Sequence, residues 1–435
     1  MKNFAKSLIA IILVVCMAVS VSGCNALFTD YNTSGGGSAS FIQGTPLAEN
    51  VAFNVNDSTT RTTYSSYATL YNAVYKSVVI IENSTNNGIA LGSGVIIDVN
   101  VETDSNGRLD NGIYVLTCAH VISNSVSLKI KIANNNFDYT TYSVSGLISS
   151  MLIGSDPTTD LAVLRFDLSN VSPAISSTEI VKAKTCDTDA YPILMQEDVL
   201  AIGNPSGIEG WSSRGGISKL KLITLVGSVG YMDLLGTDAP LNAGNSGGGL
   251  FNMYGELIGV VNAGAEDKDN LGFAIPVSTT GDKDNVMDKG FWNVAYQLIK
   301  NRTTDVYGYV EGRIGFDASF SLASNGYMQI SGIVPGGELS NQGAQVGDYV
   351  TGFTYDGVKN GQNKSGGLAD LTNGNTDYAY LNYYSSLYDL NNTFVESDAL
   401  TITIKVTRIT YNGWNQTQQE FTFTITNPPQ YIYAP

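Results

Sequence analysis

A glycine-flanked serine with no histidine downstream of it limits this chain more than any other feature. In Gly244-Asn245-Ser246-Gly247-Gly248 a hydroxyl stands between residues that accept backbone angles a β-carbon forbids. The chain can therefore turn sharply there and aim neighbouring N–H groups at one point. Such a turn suits an activated nucleophile beside an oxyanion hole, with the N–H groups of Gly244 and Ser246 as donors and Asn245 between them. The same letters fit a strand-turn-helix elbow in which both the acid and the histidine follow the serine. The 435 residues contain one histidine, His120, and it precedes Ser246. That elbow order is excluded, and an imidazole-activated Ser246 must take its base from upstream.

A serine hydroxyl needs a base with a pKa near 7, which histidine supplies unperturbed. A lone histidine is by default a packed or surface residue. The setting of His120 favours the chemical role: Ile113-Tyr-Val-Leu-Thr-Cys-Ala-His-Val-Ile122 reads as a buried strand running into a turn, with the imidazole at the strand's end. A third group must fix the tautomer and stabilise the imidazolium. Asp160 directly precedes the apolar run Leu161-Ala-Val-Leu164, and a buried carboxylate there would need a partner. Its bland alternative is a strand cap facing solvent. Asp156, before Pro157, reads as a turn residue.

The order His120, Asp160, Ser246 is that of the chymotrypsin-like double β-barrel. Four stretches resemble the HtrA/Deg serine proteases: Gly92-Ser-Gly-Val-Ile-Ile97; Leu116-Thr-Cys-Ala-His-Val121; Asp160-Leu-Ala-Val-Leu164 with Ala201-Ile-Gly-Asn-Pro205; and Thr237 to Phe251, followed by Gly255-Glu-Leu-Ile-Gly259 and Gly272-Phe-Ala-Ile-Pro276. The resemblance implies a mainly β chain, a chymotrypsin-like double β-barrel protease domain followed by a PDZ-like domain. It implies His120, Asp160 and Ser246 as catalytic residues, and unfolded polypeptides as substrates. In that fold the strand after the nucleophile lines the specificity pocket, so Leu241, Val260 and Val261 are the expected walls. Pro240 stands where trypsin-like pockets carry an acid, which predicts cleavage after small or medium aliphatic residues; an inward Asp238 would favour basic ones instead.

The organisation of the chain agrees. Lys2 and Lys6 precede the apolar run Leu8 to Val21, so residues 1–23 read as an export signal. Val21-Ser-Gly-Cys24 resembles a lipobox, which would leave Cys24 lipidated on the outer face of a membrane. Residues 24–63, with Ser34-Gly-Gly-Gly-Ser38, form a flexible tether. Its Phe41, Leu47, Val51 and Phe53 could serve as contacts in the homotrimers the resemblance suggests, or be isolated apolar residues. The protease domain is expected over 64–301, closed by a helix over Gly290 to Lys300, and the PDZ-like domain over 303–430. Its groove helix is expected at Tyr380 to Leu390, with Tyr307-Gly-Tyr309 or Ile314-Gly-Phe316 as the carboxylate-binding loop and an insertion between Asp356 and Asp377.

A formal charge of −16 argues against nucleic acid as a partner. No P-loop is present, which fits ATP-independent work, and no cofactor is implied. With Cys16 and Cys24 assigned to the signal, Cys118, Cys186 and His120 are too few for a four-ligand Cys/His zinc site, and no metal is expected. Cys118 and Cys186 read as buried free thiols. The acidic stretch from Asn100 to Gly112 reads as a solvated hairpin. Two other functions are compatible with these letters: a catalytically silent peptide-binding scaffold or chaperone of the same fold, and an adhesin.

Overall fold

Runs rich in Val and Ile dominate the chain from Val78 to Pro276, and the computed structural model folds them into two seven-stranded sheets. Described are residues 61–99, 112–226, 230–264, 270–281, 288–302, 307–308, 310, 318–323, 326–333, 337–371, 376–394, 399–413 and 415–426. The segment 1–23, Cys24, most of the 24–63 tether, the insert before Gly112, Tyr309 and 314–316 lie outside the described residues.

Barrel 1 comprises β1 (Val78–Thr85), β2 (Gly88–Val99), β3 (Gly112–Cys118), β4 (Ser125–Ile132), β5 (Tyr142–Leu147), β6 (Leu152–Asp156) and β7 (Leu161–Asp167). They pair in the order β5-β4-β1-β2-β3-β7-β6. β3 lies where the sequence predicts a buried strand running into the His120 turn. Val78 to Ile81 are buried at consecutive positions, as in a strand covered on both faces.

Barrel 2 comprises β8 (Lys184–Thr185), β9 (Asp198–Gly203), β10 (Trp211–Val226), β11 (Gly230–Thr237), β12 (Gly249–Asn252), β13 (Glu256–Gly264) and β14 (Gly272–Pro276). The order is β12-β9-β10-β11-β14-β13-β8, and an extra β12–β13 pairing closes the circuit. The molecule is mainly β, with the trypsin-like double barrel expected from its sequence. Strands β10 and β11 pair as a long antiparallel hairpin, in keeping with the β-branched and apolar residues at its far end.

Two longer helices flank the sheets of this unit. Helix α1 (Tyr67–Val74) starts at a Ser66 cap, where the Ser66 and Thr69 side chains reciprocally satisfy end N–H groups. Helix α2 (Phe291–Lys300) packs on β6 and β7 through Phe291, Val294, Leu298 and Ile299, the face its spacing predicts. Ahead of α1, Arg61 grips Glu256 bidentately at 2.8 and 2.9 Å. Its guanidinium lies 4.2 Å from the Tyr191 ring centre and 3.8 Å from that of Tyr254. Glu256, the first residue of β13, is buried. This bidentate pair therefore sits in low dielectric, where geometry matters more than on the surface.

A second compact unit begins after Val310. Its strands β15 (Ala318–Leu322), β16 (Met328–Ile333), β17 (Tyr349–Lys359), β18 (Gln362–Leu368), β19 (Ala399–Asn412) and β20 (Asn415–Thr426) pair as β15-β16-β17-β19-β20, with β18 on β17. Helix α3 (Thr376–Thr393) covers the expected Tyr380 to Leu390. Part of the expected insertion is the β17–β18 hairpin. Among the described residues no helix is long and apolar enough to cross a membrane.

Candidate active site

β3 is buried at all seven of its positions and ends in a 3-10 turn, Ala119–Ile122, that carries His120 out of the core. Beyond β7 at the edge of the same sheet, Asp156 ends β6 and caps the following turn by accepting from both Thr158 and Thr159 hydroxyls. That turn delivers Asp160 in a left-handed conformation, φ 54°, just before β7. Holding a non-glycine residue there costs roughly 1–3 kcal/mol and persists only where neighbours over-determine it. They do. The Asp160 carbonyl accepts from the Ala119 N–H at 2.9 Å, Oδ1 from the His120 N–H at 2.8 Å, and Oδ2 lies 2.6 Å from His120 Nδ1.

With its carboxylate buried and opposite Nδ1, Asp160 favours the tautomer that leaves Nε2 free as a base. The His120 side chain is 44% exposed, so that free edge is reachable. Burial pulls the imidazole pKa down, the Asp160 charge and hydrogen bond push it up, and the net displacement is upward from 6.5.

Ser246 sits in the turn between β11 and β12. Gly244 (φ 101°) and Gly247 (φ 82°) both occupy backbone space that a side chain would strain. A β-carbon on Gly244 would also strike the Asn204 carbonyl, and one on Gly247 the Ser93 carbonyl and Thr117 hydroxyl. The Gly244 carbonyl accepts from the Ser93 hydroxyl at 2.9 Å and the Asn204 N–H at 3.3 Å; the Asn245 N–H donates to Asn242. Among the described residues no acceptor takes the N–H of Gly244 or of Ser246. Two free donors flanking a committed one form the pattern an oxyanion hole requires.

The structure joins His120 to Asp160 but does not bond Ser246 to His120. The single Ser246 O–H donates to the Asn262 carbonyl at 2.9 Å. The two halves meet through Asn262, whose Nδ2 donates to Asp160 Oδ2 at 2.6 Å.

The expected pocket walls need correction. Val260 and Val261 are 0% and 1% exposed and belong to the interior of barrel 2, so they offer no surface to a ligand; Leu241 is half-buried. Asp238 is exposed and accepts from the Gly216 N–H at 2.6 Å, so it closes the β10–β11 ladder instead of pointing into a pocket.

Cys118 and Cys186 are free and buried. Cys118 Sγ lies with His120 and Asp160 in the group of potential metal ligands found among the described residues. Burial and the nearby Asp160 hold this thiol well above its usual pKa, and the carboxylate is committed to His120 and Asn262, a poor donor set for a resident metal.

Residues 92–260 match the model of the trypsin-like peptidase domain. Serine endoprotease DegS of Haemophilus influenzae is 29% identical over 286 residues, covering 65% of this chain and 70% of that one. Residues 92–260 are a trypsin-like peptidase domain, the chain is a serine endopeptidase, and it is similar to serine endoproteases of the HtrA/Deg type. Periplasmic serine endoprotease DegP of Escherichia coli K12 is 29% identical over 279 residues, covering 60% of this chain and 48% of that one. A serine protease HtrA-like of Staphylococcus epidermidis is 27% identical, and 43% of it is covered. The chain thus spans just under half the length of those two relatives. Among solved structures, the serine endoprotease from Yersinia pestis superposes with a TM-score of 0.42 at 23% identity, covering 84% of this chain and 98% of that one.

Sequence reasoning did not find Asn262. It follows Val261 directly, and an asparagine at the end of a buried valine run was the one available signal, since a polar residue in that position needs a partner.

Proposed function

We propose that this endopeptidase degrades unfolded or damaged exported polypeptides without ATP, at the outer face of a membrane to which a lipid on Cys24 tethers it. Ser246 attacks the scissile carbonyl, His120 takes the proton and returns it to the leaving amine, and Asp160 compensates the imidazolium. The N–H groups of Gly244 and Ser246 hold the oxyanion. The observation that carries this reading is the buried Asp160 carboxylate 2.6 Å from Nδ1 of the chain's one imidazole. Exported substrates are favoured by the export signal and by the relative whose name places it in the periplasm. Unfolded chains fit because an extended strand can add along a sheet edge and native proteins rarely offer one. The unit after Val310 would serve as a PDZ-like peptide-binding module, and a homotrimer would be the assembly. With Leu241 as the remaining half-buried apolar wall and no fixed acid, small or medium aliphatic residues are the preferred cleavage sites.

A fluorophosphonate that labels the full chain, more strongly with unfolded protein present, and fails to label Ser246→Ala supports this reading. Absence of labelling under every activating condition favours the silent scaffold.

A further inference from the structure

Ser93 lies in the middle of β2, in barrel 1, and is buried. Its contacts reach across to the nucleophile's turn in barrel 2. The Ser93 hydroxyl donates to the Gly244 carbonyl at 2.9 Å, and the Ser93 N–H donates to the Ser246 carbonyl, also at 2.9 Å. The hydroxyl must be the donor, because a carbonyl can only accept. Behind it, the Ser93 carbonyl accepts from the Thr117 hydroxyl at 2.7 Å, and Thr117 belongs to β3, the strand that leads to His120. Gly203 leaves room for this arrangement, since a β-carbon there would crowd the Ser93 hydroxyl. The N–H groups of Gly244 and Ser246 lie in two different peptide planes, steadied by different means. The 245–246 plane is held directly: the Asn245 carbonyl accepts from the Gly248 N–H at 2.9 Å. The Ala243 carbonyl, which shares a plane with the Gly244 N–H, takes no donor among the described residues. What steadies that N–H lies on the other side of the Gly244 Cα, at the carbonyl bonded to Ser93 and, at 3.3 Å, to the Asn204 N–H. A glycine has few steric limits on its torsions, so such bonds set them.

We infer that Ser93 is a positioning residue: from barrel 1 its hydroxyl holds the Gly244 peptide so that the Gly244 N–H stays aimed into the oxyanion hole. It acts through Gly244 and touches no reacting atom. The main-chain bond from Ser93 to the Ser246 carbonyl fastens β2 to the turn whatever side chain stands at this position, and the hydroxyl adds the second anchor. Through Thr117 the same residue ties the strand leading to the base to the turn carrying the nucleophile. Withdrawing the hydroxyl leaves the Gly244 carbonyl with the long bond from Asn204, and the N–H can swing aside while Asp160 and His120 stay joined. A displacement of about 1 Å at an oxyanion donor is enough to cost on the order of 10²-fold in rate.

This role deepens the serine endopeptidase reading and rests on it for the kinetic arm. The full chain is compared as wild type, as Ser93→Ala, as Ser93→Thr, which keeps a hydroxyl, and as Thr117→Val, which keeps the shape and loses the donor to Ser93. Ser93→Ala should lower kcat on an unfolded-protein substrate by about 10- to 100-fold with little change in KM, because the oxyanion exists only along the reaction path. Fluorophosphonate labelling should slow by the same factor, since its tetrahedral adduct places an oxygen in the same hole. The single imidazole of the chain should titrate unchanged by NMR, which separates a lesion of the hole from one of the acid–base pair. Ser93→Thr should recover most of the loss, and Thr117→Val should show a smaller loss of the same kind. Unchanged kcat in a folded Ser93→Ala protein, or a fall accompanied by a moved imidazole titration, overturns the inference; Ser93→Cys, a poorer donor of similar shape, carries the same arms should the alanine variant not fold. Backbone hydrogen exchange supplies an arm that needs no catalysis. Ser93→Ala should speed exchange of the Asn245 N–H, which donates to the Asn242 carbonyl at 3.0 Å, and leave β3 protected. A wild type that never labels, with faster exchange in Ser93→Ala, leaves Ser93 as the holder of the turn and removes the peptidase mechanism. Labelling in the wild type with kcat and exchange unchanged in the variant does the reverse.

Discussion

In barrel 1 the proposed acid and base are already joined, while in barrel 2 the hydroxyl of the proposed nucleophile is bonded to a main-chain carbonyl beside two N–H groups that no described acceptor takes. The base is prepared in advance because Asp160 is held by Ala119, by His120 twice and by Asn262, so its position does not depend on substrate. The serine hydroxyl is held by the Asn262 carbonyl and not by the imidazole.

The largest test removes the nucleophile. Ser246→Ala should lower kcat on the order of 10⁶-fold with an unchanged melting temperature, since its hydroxyl makes one hydrogen bond, to the Asn262 carbonyl. Asp160→Asn should cost about 10⁴-fold in kcat, because an amide can reverse the tautomer of His120 while preserving shape; a loss as small as that of a surface change would mean barrel 1 is not poised in advance. Stability should respond unequally. Arg61→Ala leaves the buried Glu256 carboxylate without its cation, the Asn252 amide still donating to it, and should destabilise the unit by about 3 kcal/mol in denaturant melts, a lesion confined to barrel 2.

The smallest test is pH. His120 has its folded pKa raised above 6.5 and must be neutral to act as base, so kcat/KM should climb through a value higher than 6.5. A raised folded pKa means that the protonated pair contributes stability in full below the unfolded value and loses it as pH rises through the folded one. Thermal melts should therefore weaken over the same interval in which activity appears. An acid limb below 6.5 would show that Asp160 does not govern the imidazole.

The two barrels also differed in how far their sequences could be read. In barrel 1 the continuous runs Val78 to Ile81 and Ile113 to Cys118 announce buried strands, and a single histidine leaves no choice of base. In barrel 2 the glycines around Ser246 mark the turn, yet the strand after it misled: Val260 and Val261 were expected on a pocket wall and lie in the core. A buried strand carries apolar residues on both faces, so the letters do not say which one points where, and a shift of one residue exchanges the faces. Asn262 and the Arg61–Glu256 pair were illegible for a different reason. Each is a contact between segments far apart in sequence, and local periodicity carries no information about such meetings.

The fastening of Arg61 has a mechanical corollary. Glu256 opens the same strand that carries Asn262 toward its far end, and two tyrosine rings clamp the guanidinium against it. Tension on the polypeptide ahead of Arg61 would thus be borne first by β13, arriving at the half of the molecule that holds the serine and bypassing the half that holds the imidazole.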